Sequence, residues 1–300
     1  MAEAVHLLTA LGTYPHTRAI KNGSLASPEV AFDLAEVEPI HTAFAPMVRR
    51  QAYELSELAI VTALQALEAA KPIVLLPAVI ASRLQRGCLI ALAGRNLDHP
   101  RSLEGQRIGV RAWTQTTGMW VRAALYEDAG MTVDDSSWSA HDPAHVEEYR
   151  DPPFVRRDDS GKSLPDQLRD GDIDAAILGN DLPKGAEFAP VIRDHRARDE
   201  AWVARHGFMP INHIVAVSRG AWDTKPRAVR AAYELLRRAA AEVPSPLTRF
   251  GVAALREPLE FMIDECVRQQ LLARRLDVDE ILVPAAALLN EEALAGETRR

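Results

Sequence analysis

The chain has 300 residues, 47% of them hydrophobic, enough to bury one large core or two moderate ones. Its 35 Lys and Arg against 42 Asp and Glu leave a net charge of −7, which excludes the basic footprint of a nucleic-acid-binding protein. Cys88 and Cys266 are far apart in apolar surroundings, so buried thiols in a reducing compartment are expected rather than a disulfide framework or a zinc site.

The opening MAEAVHLLTALGTY has no basic n-region, and His6 interrupts its apolar run. It reads as a first strand rather than a secretion signal. No run approaches the roughly 18 apolar residues that span a bilayer, so a soluble, cytoplasmic protein without a membrane partner is expected. Strands over 5–11 and 30–37 flank a helix at about 17–22, and Asn22-Gly23-Ser24 is a turn. A helix over 43–51 precedes a strand at about 58–60, and an alanine-rich helix follows over 62–71. Residues 73–78 form an apolar strand closed by Pro77, and 88–93 form another.

Residues 103–125, LEGQRIGVRAWTQTTGMWVRAAL, are the most informative stretch. A strand over 107–110 runs through a Thr-rich turn into a helix whose apolar side carries Trp120, Val121, Ala124 and Leu125. Thr114, Thr116 and Thr117 fall where the first unpaired helix amides lie. Those N–H groups, the positive end of the helix dipole and the hydroxyls favour a carboxylate or phosphate. Helix capping accounts for any single threonine equally well.

Further on, 163–169 is a helix, 175–178 a buried strand, and 214–217 a strand following the polar pair Asn212-His213. From Pro226 the chain is helical and ends in a polar tail. His141 and His145 have i, i+4 spacing but lack a third ligand and flank Pro143, so no metal site is expected. Asp170, Asp172 and Asp174 read as turn residues before a strand, and Arg49-Arg50 and Arg274-Arg275 as solvated helix faces.

Alternating strands and helices with short connections predict an α/β protein with open sheets. The strands at 88–93 and 214–217 bracket a central section, which predicts a discontinuous first lobe (1–95 and 214–300) and a second lobe over 96–213. A cleft between the lobes is expected to collect the loops at His16, Ser56, Arg83, 114–117, Asn180 and His213.

The segments Tyr14-Pro-His-Thr-Arg18, Tyr53-Glu-Leu-Ser-Glu57, 103–125, Gly171-Asp-Ile-Asp-Ala-Ala-Ile177, Pro210-Ile-Asn-His213 and 261–276 resemble the 4,5-dihydroxyphthalate decarboxylase family. The resemblance runs from about residue 6 to residue 283, and 103–125 and Pro210–His213 are its most specific parts. It implies a type II periplasmic-binding-protein-like fold used for a cytoplasmic lyase reaction of phthalate degradation. Pro15-His16 stands where the family has an acidic residue and Arg, and Arg111 where it has Pro. These departures bear on which aromatic acid is bound.

Cofactor-free decarboxylation of an aromatic acid needs groups that hold a second carboxylate, a base at a phenol and an acid near the ipso carbon. Thr114, Thr116, Thr117, Arg18 and Arg83 are candidates to grip carboxylates, with Ser56, Asn180 and Asn212 as further substrate-binding candidates. His213 or His16 is the candidate acid, and Glu57 the residue to polarise a phenol. No cofactor and no metal are expected. Structural roles stay open: Arg18 as a surface ion pair, His213 bonded to backbone, Ser56 or Glu57 as caps.

The expected activity is decarboxylation of 4,5-dihydroxyphthalate to protocatechuate or of a close analogue. The alternatives are a solute-binding protein of an ABC transporter for a small carboxylate or pyrimidine-like ligand, and a lyase of this fold for another aromatic acid. The apolar C-terminal stretches, Leu271-Leu272 and 285–289, cover the core or form a homo-oligomer interface.

Overall fold

The computed structural model describes residues 3–179 and 181–290. In chain order the strands are β1 (Val5–Ala10), β2 (Val30–Leu34), β3 (Leu55–Ala59), β4 (Ile73–Ser82), β5 (Leu89–Leu92) and β6 (Arg107–Val110). They continue with β7 (Ser137–Ala140), β8 (Val155–Arg157), β9 (Ala175–Ile177), β10 (Phe188–Pro190), β11 (Ile211–Ser218) and β12 (Arg249–Phe250). Two six-stranded mixed sheets result, one in each of two compact units. The first unit takes its described residues from Met1–Ser82, Ile211–Asp264 and Arg274–Arg300, the second from Arg83–Pro210 and Glu265–Ala273.

The change of unit at Ser82 comes earlier than the expected boundary at 95. The reason is β5, which is no connector: it pairs antiparallel with β9 and β10 inside the second sheet. Likewise β11 already begins at Ile211, so Asn212 and His213 are strand residues rather than a polar pair ahead of the strand.

The first sheet has the order β12-β4-β11-β3-β1-β2. β1 is parallel to β2 and β3, while β11 runs antiparallel to β3 and β4. β4 does not stop at Pro77 but continues to Ser82. Its register against β11 jumps between Leu75↔Ala216 and Val79↔Ile214, so Pro77 sits in an irregularity where no ladder donor is required. The helix Pro226–Glu242 lays Val229, Ala232, Tyr233, Leu236 and Ala239, spaced for one helical face, among the residues that bury Leu7, Leu55, Ile80 and Val215. Each large apolar side chain buried in this way contributes roughly 1.5–3 kcal/mol.

The second sheet has the order β10-β5-β9-β6-β7-β8, with β6 parallel to both β7 and β9. β6 leads into the helix Thr116–Ala129, which ends on Gly130 in the left-handed region. Ser163 caps the helix Leu164–Asp170 by accepting from the Asp166 amide, and Gly171 ends it at φ 74°. Leu164 and Leu168 from that helix pack with Ile90, Ile173, Ala176 and Leu178.

The stretch around His141 and His145 is not helical, so their sequence spacing carries no shared face. His141 instead contacts Gln167 at 2.8 Å and Asp158 at 3.1 Å. Cys88 and Cys266 are buried, and neither is in a disulfide. Leu271, Leu272, Ala285 and Ala286 are buried. Among the described residues no helix is long and apolar enough to cross a membrane. The predicted polar tail lies outside the described residues.

Candidate functional site

In the first unit the site grows from the sheet. Continuing the β1–β3 register beyond Ala10↔Ser56 brings the chain leaving β1 alongside Glu57, so the backbone amide of Gly12 donates to Glu57 Oε2 at 2.8 Å. Glu57 is fully buried. His213 and Glu57 are diagonal neighbours, because β11 pairs His213 with Ala59 and Val215 with Glu57. His213 Nδ1 lies 2.5 Å from Glu57 Oε1. A carboxylate only accepts, so Nδ1 carries the hydrogen and Nε2 is the nitrogen left for a ligand. The Tyr14 hydroxyl also donates to Oε1 and stands 3.5 Å from His213 Nδ1.

Burial opposes the charge on Glu57. The His213 hydrogen bond and charge, together with the Tyr14 and Gly12 donors, outweigh it and hold the carboxyl below its ordinary pKa. Tyr14 moves the opposite way: burial first, then the Glu57 charge and hydrogen bond, raise its pKa, so it keeps its proton. The His16 ring stacks on Tyr14 with centroids 5.4 Å apart and planes 9° from parallel. Phe44 and His213 pack in a T-shaped arrangement with ring centroids 5.2 Å apart. Two rings, those of Tyr14 and His213, thus meet on one buried carboxylate, and His16 and Phe44 pack on them.

The second unit carries the Thr-rich turn. Gln115 is the N-cap, and Thr116 and Thr117 begin the helix Thr116–Ala129. Thr114, Thr116 and Thr117 are all buried. Arg83 donates through Nη2 to Thr117 Oγ1 at 2.6 Å, placing a cation at the amides that open the helix. A Cβ on Gly179 would lie 3.3 Å from the Gln115 side-chain nitrogen, 3.4 Å from an Asp181 oxygen and 3.8 Å from Arg83 Nη2, so these groups converge on a bare backbone.

Beneath the turn lies Arg122, buried and 3.8 Å over the Trp113 ring. It donates to the Trp113 carbonyl at 2.9 Å and to Gln269 Oε1 at 2.8 Å. Gln269, from the separate stretch Glu265–Ala273 of this unit, donates in turn to the Met119 carbonyl at 3.0 Å. The turn is braced from below by side chains that touch its own carbonyls.

His213, Glu57 and His16 therefore lie in one cluster, and Arg83, Thr114, Thr116 and Thr117 in another. Arg18 is exposed at the start of the short helix Arg18–Lys21. Ser56 is buried, and its hydroxyl is spent on the Glu57 carbonyl at 2.8 Å. Asn212 is buried on β11 where the register against β4 shifts. Asn180 lies outside the described residues. Arg111 accepts at its carbonyl from the His141 and Asp142 amides, and its Nε is 3.8 Å from the Asp142 carboxylate. Among the described residues no group of three or more His, Cys, Asp or Glu is placed to hold a metal ion. The site residues missed from sequence are Tyr14 and Gln115. Tyr14 follows the strand beside Glu57, and Gln115 occupies the cap between two threonines.

No family model matches the chain. The 4,5-dihydroxyphthalate decarboxylase of Comamonas testosteroni is 24% identical over 237 residues, covering 74% of this chain and 71% of that protein. The 4,5-dihydroxyphthalate decarboxylase of Pseudomonas putida is 29% identical over 138 residues, covering 45% of this chain and 52% of that protein. In structure the chain is similar to the alkanesulfonate-binding protein SsuA from Xanthomonas axonopodis pv. citri, solved bound to MOPS (TM-score 0.54, 13% identity, 95% of this chain and 99% of that one). It is equally similar to DSZB solved with biphenyl-2-sulfinic acid (TM-score 0.55, 15% identity, 95% of this chain and 99% of that one). The fold is that of the type II periplasmic-binding-protein-like class. Within that class the sequence is similar to the 4,5-dihydroxyphthalate decarboxylases, in agreement with the motif resemblance.

Proposed function

We propose that this chain is a carboxy-lyase that removes CO2 from a hydroxylated aromatic dicarboxylate without a cofactor, with conversion of 4,5-dihydroxyphthalate to protocatechuate as the reaction to test. The observation that carries this reading is the Tyr14–Glu57–His213 cluster, in which a buried carboxylate holds Nδ1–H of an imidazole whose other nitrogen is left for a ligand. That is the arrangement of an imidazole oriented by a carboxylate, which acts as a general acid when Nε2 is also protonated.

Direct loss of CO2 from a benzene ring would strand an electron pair on an aryl carbon, so protonation comes first. His213, as imidazolium balanced by Glu57, gives its Nε2 proton to the carbon bearing the carboxylate, and a para hydroxyl feeds electron density into the ring. The bond to the carboxylate then breaks, its electron pair returns to the ring, and CO2 leaves. His213 regains its proton from water. The net change is one carboxylate and one proton converted to one C–H bond and CO2.

Within the second unit, Arg83, the Thr117 hydroxyl and the first amides of the helix Thr116–Ala129 are groups suited to a carboxylate. Their role is to bind and orient rather than to move a proton.

The test is CO2 release from 4,5-dihydroxyphthalate by purified, EDTA-treated protein, with His213→Ala beside it. Turnover by the wild type, lost in the variant while substrate still binds, supports the lyase. Tight binding of an aromatic acid with no turnover by the wild type supports the solute-binding reading in its place.

A further inference from the structure

Both oxygens of Glu57 are taken. Oε2 accepts from the Gly12 amide at 2.8 Å, and Oε1 accepts from two donors, the Tyr14 hydroxyl and His213 Nδ1, the latter at 2.5 Å. The two donors stand 3.5 Å apart, and because both direct their hydrogens at Oε1, that separation is a contact between donors. The Tyr14 ring is held in place from two sides: a Cβ on Gly12 would lie 2.8 Å from its hydroxyl oxygen, and the His16 ring stacks on it. Its backbone is fixed as well, the amide donating to Thr17 Oγ1 at 2.8 Å and the carbonyl accepting from the Arg18 amide at 3.0 Å. Burial and the neighbouring Glu57 charge keep the phenol protonated, so it meets Glu57 as a donor.

We infer that Tyr14 is a positioning residue that makes His213 a stronger acid, by sharing the carboxylate oxygen that holds the imidazole. This rests on the carboxy-lyase reading above, and it sets Glu57 to act on His213 rather than on a phenol of the ligand. A carboxylate oxygen left to the imidazole alone would hold the imidazolium more firmly, and the Nε2 proton would leave less readily. The hydroxyl draws off part of the negative charge on Oε1 and loosens that hold. The charged and titratable groups around the pair are Glu57 on β3, Tyr14 and His16 on the segment after β1, and Glu38, whose charge reaches Tyr14. Beside His213 in the sheet stand Ala59 on β3 and Ala81 on β4, and Phe44 packs on its ring.

The experiment is an NMR titration of the His213 ring in ligand-free wild type, Tyr14→Phe, Glu57→Gln and the double variant, beside the pH profile of CO2 release from 4,5-dihydroxyphthalate. Phe keeps the ring that stacks on His16 and removes only the hydroxyl. In Tyr14→Phe the imidazolium should persist to higher pH by about half a unit or more, the scale set by one hydrogen bond to a charged group. The alkaline limb of turnover should move with it, and kcat should fall while KM stays the same. In the Glu57→Gln background, loss of the hydroxyl should move the titration far less, because the carboxylate that couples the two groups is gone. A His213 titration that stays put or moves to lower pH in folded Tyr14→Phe overturns the inference and leaves the lyase reading standing. An equal shift with and without the Glu57 carboxylate overturns it too, since the effect would then be one of packing. A wild type that releases no CO2 overturns the lyase reading and the acid role with it, whatever the titration shows. A further measurement needs no variant: the Tyr14 hydroxyl proton of the wild type should change its shift as His213 titrates, and a resonance that stays fixed overturns the inference.

Discussion

His213 reaches Glu57 on the diagonal of the β3–β11 ladder, two residues out of register, and closes to 2.5 Å between Nδ1 and Oε1. The residue directly opposite Glu57 is the apolar Val215, so no other side chain of β11 competes for the carboxylate from that position. Glu57→Gln removes the negative charge and keeps the volume. Turnover of 4,5-dihydroxyphthalate is expected to fall by about 10²–10⁴-fold, with the circular dichroism of the wild type retained. Unchanged turnover in a folded variant would show that the pair is structural.

Gly12 is confined by the ring it helps to place. A Cβ at this position would lie 2.8 Å from three atoms of Tyr14, including its hydroxyl, and His16 stacks on that ring. Gly12→Ala should push Tyr14 off Glu57, at a stability cost of about 1–3 kcal/mol. Denaturant unfolding of Gly12→Ala, Tyr14→Phe and the double variant checks this: the double variant should lose less than the sum of the singles, because both act on one hydrogen bond.

Stability should depend on pH through His16. Its folded pKa is lowered from 6.5, burial being the main cause. A lowered folded pKa means that the contribution is fully present above 6.5 and is lost as pH falls below that value, where the unfolded chain takes up a proton that the folded chain resists. Glu57, also lowered, keeps its contribution until the pH drops beneath its ordinary value of 4.5. Burial raises the Asp151, Asp199 and Glu265 carboxyls toward this range, so the His16 contribution is read as the difference between wild type and His16→Phe. Unfolding midpoints measured across it should decline more steeply for wild type than for His16→Phe; equal slopes would refute the assignment.

Thr117 sets the direction of the Arg83 guanidinium by accepting from it at 2.6 Å. Thr117→Val keeps the shape and deletes the acceptor. Affinity for a dicarboxylate should fall by about five- to tenfold, measured by calorimetry, with little change in the melting temperature.

Much of the framework was readable in the chain. The bounds of β6 are legible, since Arg107 is followed by the apolar Ile108-Gly109-Val110 and then by the turn. The helix after it begins earlier than its apolar stripe suggests, because Thr116 and Thr117 are helical although they carry no apolar signal. The sequence carries no readable pattern for β7, β8, β10 and β12: two to four residues each, they are held by neighbours rather than by their own pattern. The apolar pattern of β11 begins only at Ile214, because Asn212 and His213 are polar, yet the β3 ladder extends through His213. Glu57 and His213 were both singled out, but their contact spans 156 positions and depends on register, which composition does not record. Tyr14 was missed as a donor for the same reason.

Arg122 is the brace of the Thr-rich turn, and lysine should not replace it. Its planar fork serves the Trp113 carbonyl and Gln269 together, which a single ammonium cannot reproduce. Arg122→Lys is expected to cost about 2–3 kcal/mol and to weaken dicarboxylate binding. Denaturant unfolding and calorimetry check the two effects separately.

The partner of that brace arrives late. Gln269 lies 147 positions after Arg122 in the chain, so a ribosome has long since released the turn when the residue that completes its support is still to be translated. A fragment cut after Pro210 would contain every threonine of the turn and still lack Gln269. The support of the turn is therefore completed only once Gln269 has been made, and this unit cannot be prepared whole as one uninterrupted piece of the chain without residues of the other unit.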